Sequence, residues 1–230
     1  MQRVFNRLKK VTHKADLPWE VHLIDNHQWN AFTIGGGKVF VYTGLFKGKL
    51  AVRSDDELAA ILAHEIAHVN ARHASEKQGK LMLSKLLDKK LRSAAYEASF
   101  TTNQEDEADK YSVIYSALAG YKPSAGAEIW ARMHKQLGSD SKDRLHDHPL
   151  NADKAKSLTR YAKLAEQYYH SGKINKNYKT LLTNNAVFFH QGESTLKAGE
   201  GGGFLALFET LGNAYVEAEK AKQEQRKRGL

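Results

Sequence analysis

His64-Glu65-Ile66-Ala67-His68 is the stretch whose residue types and spacing most clearly suit chemistry. On a helix, positions four apart stack on one face, so the nitrogens of His64 and His68 can converge on a single ion. Glu65 is turned by about 100° from His64. That sets it beside an open coordination position, where a carboxylate can take a proton from a metal-activated water. Zinc suits this arrangement, because it lowers the pKa of a bound water from about 15.7 to roughly 7 and polarises a carbonyl, using only three protein ligands.

A third ligand must come from elsewhere, and the sequence has no cysteine, so it has to be His, Asp or Glu. In the spacing where a third histidine follows six residues after the second, the position is Ala74, and the glycine that spacing requires is replaced by Ala71. His73 is one residue off that frame and reads as a structural or surface residue. Glu105, in Glu105-Asp-Glu-Ala-Asp109, is the better candidate, because Asp109 stands one turn later on the same face and can orient a ligating histidine through its second ring nitrogen. Glu105 also has an ordinary reading, since Thr102-Asn-Gln-Glu105 fits a capping box. That reading leaves a metal with two ligands. The expected set is one Zn2+ per chain on His64, His68 and Glu105, with Glu65 as general base and Asp109 behind a ligand.

The HExxH and ExxAD motifs, followed by Ala119-Gly-Tyr-Lys-Pro123, resemble family forty-eight of the metallopeptidases, the group of the CAAX prenyl endopeptidases and HtpX-like zinc peptidases. The resemblance extends to Asn30-Ala31-Phe32, Gly35-Gly-Gly37, Tyr42-Thr-Gly-Leu45 and His148-Pro149, roughly residues 1–160. It implies an endopeptidase with a zincin-like fold. It implies that His64, His68 and Glu105 bind zinc, that Glu65 activates water, and that His148 stands near the active site, steadying the oxyanion or filling the open metal position in a latent state. It also implies that the strand at Asn30, Ala31 and Phe32 offers an edge on which an extended substrate pairs. Where the family often has an arginine six residues past the His of the His-Pro pair, this chain has Lys154, a point charge without the planar fork. The membrane-spanning segments of some members have no counterpart here, so the likeness is to the soluble, membrane-peripheral quality-control members. Unfolded or misassembled envelope polypeptides are the implied substrates, and the periplasm or membrane periphery the implied location.

The elements that must position these residues read as α+β and mostly helical, with a small antiparallel sheet packed on the zinc helix. Val4, Phe5, Leu8 and Val11 mark one face of a basic helix over residues 1–15. Trp19–Ile24, Ala31–Ile34 and Lys38–Thr43 are rich in β-branched and aromatic residues and are separated by turn residues, which predicts two or three antiparallel strands. Ser54-Asp-Asp-Glu57 is a capping box, with Glu57 reaching back to the cap residue. The helix it starts carries an apolar stripe of Leu58, Ile61, Leu62, Ile66 and Val69, unbroken through Arg72. Further helices are expected over residues 81–91, 103–119, 125–137, from after Pro149 to Tyr169, and from Phe204. Residues 1–160 are expected to form the catalytic domain and residues 161–230 a helical extension.

The 230 residues are 41% hydrophobic and 27% charged with three prolines, which excludes wholesale disorder. The formal charge of +9 favours anionic partners such as phospholipid head groups and leaves peripheral membrane contact open. No motif supports specific nucleic-acid binding. The longest apolar run before the zinc motif, Leu58–Ala63, is far short of a membrane span, and no export signal is visible at the amino end.

Overall fold

The computed structural model describes residues 1–71, 73, 102–137 and 154–183. The expected helices at 81–91 and from Phe204, together with His148, lie outside the described residues. Helix α1 (Gln2–Leu8) runs on into a 3-10 turn over Lys9–Val11, and Val4, Phe5, Leu8 and Val11 are fully buried, as their spacing requires. Three short strands follow, β1 (Glu20–Ile24), β2 (Ala31–Gly35) and β3 (Lys38–Tyr42).

The sheet is mixed rather than antiparallel. Its order is β1-β3-β2, with β2 antiparallel and β1 parallel to the central β3. Gly36 and Gly37, both at positive φ (63° and 83°), close β2 and β3 into a tight hairpin. The far side of β3 is then the place left for β1, and β1 reaches it running the same way as β3. Alternation along the strands buries Ala31, Thr33, Val39 and Val41 on one face. On the other face Phe32 stacks on Phe40, with ring centroids 5.1 Å apart.

Helix α2 (Asp55–Asn70) starts where its cap predicts, with the Glu57 N–H donating to Ser54 Oγ at 3.2 Å. The Glu57 side chain does not return to the cap residue. It accepts from the Arg53 N–H at 2.8 Å and pairs with Arg132, tying the start of α2 to a later helix. Every residue from Leu62 to Val69 is buried, so α2 is enclosed on all sides rather than along a stripe. It lies against α1, β2, α3 (Thr102–Leu118) and α4 (Ala125–Leu137). It also ends earlier than the sequence suggests, at Asn70 with Ala71 as its cap. The Asn70 side chain closes that end by donating to the Ile66 carbonyl and accepting from the Lys14 N–H.

Helix α5 (Lys154–Ala165) packs on α3 and α4, and the short α6 (Tyr178–Thr183) completes the compact unit, Met1–Thr183. Residue 160 falls within α5. Among the described residues no helix is long and apolar enough to cross a membrane. The turn after α3 is locked by Gly120, whose φ is +80° and whose carbonyl accepts from the Gly172 N–H at 2.9 Å. A Cβ there would stand 2.3 Å from the Lys173 carbonyl oxygen. Gly120→Ala combines a strained backbone with a backbone clash, so it is expected to destabilise by more than about 1 kcal/mol, read from the urea midpoint.

Candidate metal centre

Three elements meet at one point in the core. From α2 come His64, Glu65 and His68; from α3, Glu105 and Asp109; from α5, Lys154. The side chains are nearly inaccessible, with Glu65 2% exposed and His68 fully buried. His64 Nε2 and His68 Nε2 are 3.0 Å apart, and the Glu105 carboxylate lies 3.5 Å from the first and 3.2 Å from the second. Together they form a group able to hold a metal ion.

The outer nitrogens of the two rings decide what points inward. His64 Nδ1 faces Asp109 Oδ1 at 2.9 Å, a contact that favours a proton on Nδ1 and a lone pair on Nε2. For His68 the chain of contacts is longer. His73 Nε2 is 3.2 Å from Glu107 Oε2, which places its proton there and leaves its Nδ1 as an acceptor. His68 Nδ1, 3.0 Å away, donates to it, and His68 Nε2 is left with a lone pair. Two lone pairs and a carboxylate thus face one another with no proton between them. In a nearly buried site that arrangement is repulsive unless a proton or a metal cation occupies the centre, and the donor set fits a metal ion.

The local charge count agrees. Glu65, Glu105 and Asp109 contribute three carboxylates, and Lys154 one ammonium, all buried. The balance of two negative charges is what a divalent cation neutralises. Lys154 Nζ donates to Glu105 Oε2 at 2.9 Å and lies 3.2 Å from Asp109 Oδ1. Burial opposes its charge, but Asp109 and Glu105 outweigh burial and hold its pKa above the ordinary ammonium value. For His64, burial and Lys154 oppose protonation, while Glu105 and Asp109 prevail and raise its pKa in the metal-free state.

The residues singled out from the sequence sort into three groups. His64, His68 and Glu105 come together, with Glu65 adjacent on the wall of a cavity and Asp109 behind His64. Asn30 and Ala31 line the same cavity, whereas strand alternation turns Phe32 to the opposite face of the sheet, onto Phe40. His148 lies outside the described residues. The roles of Glu107 and of His73 behind His68 were not read from the sequence. On an uninterrupted helix residue 73 would point about 140° away from residue 68, and it is the end of α2 at Asn70 that lets His73 fold back.

Residues 1–100 match the model of peptidase family M48. Among curated proteins the chain is similar to the mitochondrial metalloendopeptidase OMA1 of Schizosaccharomyces pombe, with 34% identity over 156 residues, 62% of this chain and 45% of that protein. It is similar to the beta-barrel assembly-enhancing protease of Yersinia pestis, with 30% identity over 174 residues, 63% of this chain and 35% of that protein. Human OMA1 is 26% identical over 165 residues, 61% of this chain and 30% of that protein. The chain spans less than half of the length of each of these relatives, 45%, 35% and 30%.

Two outcomes follow for metal binding. His73→Leu removes the acceptor that fixes the His68 tautomer and is expected to weaken zinc affinity about 10–100-fold in competition with a chromogenic chelator. Because the pKa of His64 is raised, protons compete for its nitrogen at pH values above the ordinary histidine range near 6.5. Zinc affinity is therefore expected to fall as pH drops, with the decline beginning above pH 6.5, in the same competition assay run across pH.

Proposed function

Because this chain is related to the M48 peptidases, we propose that it is a zinc-dependent endopeptidase of zincin-like fold, with the metal held by His64, His68 and Glu105. The observation that carries this reading is the convergence of two ring nitrogens and one carboxylate. The nitrogens are 3.0 Å apart, Glu105 Oε1 lies 3.2 Å from His68 Nε2 and Glu105 Oε2 lies 3.5 Å from His64 Nε2, distances that bracket the ~3.3 Å separation of two ligands on a tetrahedral zinc with bonds of ~2.0–2.1 Å. When bound, zinc supplies a Lewis acid that polarises the scissile carbonyl and acidifies water.

The chain's own residues do the rest. Glu65, buried beside the donor set and lining the cavity, accepts a proton from the attacking water and returns it to the leaving amine nitrogen, so that one water is consumed for each peptide bond broken. Asp109 holds the His64 ring in its ligating tautomer and Glu107 holds His68 through His73. Lys154 neutralises part of the carboxylate charge, and its contacts with Glu105 and Asp109 favour this structural task over a direct one at the transition state.

Among the described residues, strand β2 is the outermost strand on its side of the sheet. An extended substrate pairing there is read through its backbone, with little demand on side chains. The buried Asn30 Oδ1 has no partner among the described residues and lines the cavity with His64 and Glu65, which supports its taking a substrate N–H. Ala31 contributes backbone at the same place, and Phe32 acts indirectly by anchoring the strand. We assign His148 to the active-site rim on its motif alone. Backbone reading suits unfolded or misassembled polypeptides, and the name of the Yersinia pestis relative, which refers to β-barrel assembly, favours envelope proteins among them. A site at the membrane periphery or in the periplasm fits such substrates.

Proteolysis of an unfolded, fluorescently labelled protein tests the mechanism. Glu65→Gln is expected to cut the rate by about 10²-fold or more, and chelation to abolish it. Equal rates for the native chain, the variant and the chelated protein would refute the assignment.

A further inference from the structure

Beside His64 and Glu65 lies a cleft whose empty space, counted together with the open solvent at its mouth, is about 480 Å3. Its wall changes character with distance from the metal donors. The near end carries His64, Glu65, Asp109 and Ser112, while the remainder is built mainly from Trp29, Ala60, Ile61, Ile129, Trp130 and Leu158. Both indoles are pinned. Trp29 Nε1 donates to the Leu50 carbonyl at 2.8 Å, and the Lys154 ammonium sits 4.5 Å from the centre of the Trp130 ring. These rings are fixed walls, so the cavity is preformed.

Gly126, near the start of α4, opens the space between Ala60 and Leu158. A Cβ on it would lie 3.5 Å from the Ala60 Cβ and 3.8 and 4.0 Å from the two Leu158 methyls. Those are ordinary contacts, so alanine fits without displacing anything, and a helix favours alanine over glycine. The added methyl would nonetheless occupy cavity volume.

Resting on the peptidase reading, we propose that this cavity receives one substrate side chain next to the scissile bond, that it selects large apolar side chains such as Leu and Phe, and that Gly126 sets its depth. A small side chain leaves the apolar wall uncovered. An acidic one loses its hydration against a mainly apolar wall on which Glu65 and Asp109 carry its own sign.

The test uses the full zinc-loaded chain and peptides of Gly and Ser that each hold a single Phe, Leu, Ala or Asp, with cuts located by mass spectrometry. The expected result is cleavage beside Phe or Leu at ten-fold or greater kcat/KM over Ala, with Asp slowest. Gly126→Ala, with an unfolding temperature no lower than the native protein's, is expected to reduce the Phe-to-Ala ratio by about ten-fold, the usual worth of one methyl in an apolar pocket. Cleavage without preference, or a ratio unchanged by Gly126→Ala, overturns the pocket while leaving the peptidase reading standing. Should no peptide be cut, the peptidase reading fails separately, and binding of the same peptides to Glu65→Gln, followed by the fluorescence of Trp29 and Trp130, decides the pocket. Phe and Leu bound at least ten-fold tighter than Ala supports it, and equal affinities overturn it.

Discussion

Two imidazole lone pairs and a carboxylate aimed at one point inside a protein are an electrostatic problem before they are an active site. In that tautomer each of the three is an acceptor, and little solvent reaches them. The surrounding groups make the problem sharper, since Asp109 on His64, and Glu107 through His73 on His68, each draw a proton to the outer ring nitrogen. One buried ammonium, Lys154, offsets part of the carboxylate charge, and a divalent cation held by the three donors would offset the remainder.

The rest of the architecture serves that point. A helix carrying three ionisable side chains on one turn can sit in the core only if neighbours satisfy them from several directions. That accounts for the enclosure of α2 by α1, α3, α4 and β2. The pairing of Glu57 with Arg132 anchors α4 to the start of α2, and α4 carries Ile129 and Trp130 to the cavity wall. The metal-donor cluster, the edge of β2 and the apolar cavity thus share one set of packing contacts, and a disturbance in one is felt in the others.

Much of this was legible in the sequence, and the reasons are local. The convergence of His64 and His68 on one face of α2 follows from helical periodicity, the start of α2 from its cap, and α1 from four apolar residues at helical spacing. Glu105 was reachable because Asp109 follows it by one turn. What escaped depends on contacts distant in the chain. The parallel pairing of β1 with β3 is fixed by which side of a hairpin remains free, and strand propensity carries no such information. The place of His73 depends on α2 stopping at Asn70, an end set by a hydrogen bond from Lys14, fifty-six residues earlier. The displacement of Phe32 from the cavity follows from strand alternation, once the register of β2 on β3 is known.

The central claim is the identity of the three metal-binding side chains, and zinc-edge X-ray absorption on the zinc-loaded chain addresses it most directly. The account predicts one zinc per chain with two imidazole nitrogens and carboxylate or water oxygen in the first shell at ~2.0–2.2 Å, and loss of bound zinc in His64→Ala and Glu105→Ala. A chain that retains no zinc, or a first shell with fewer than two imidazoles, would contradict it.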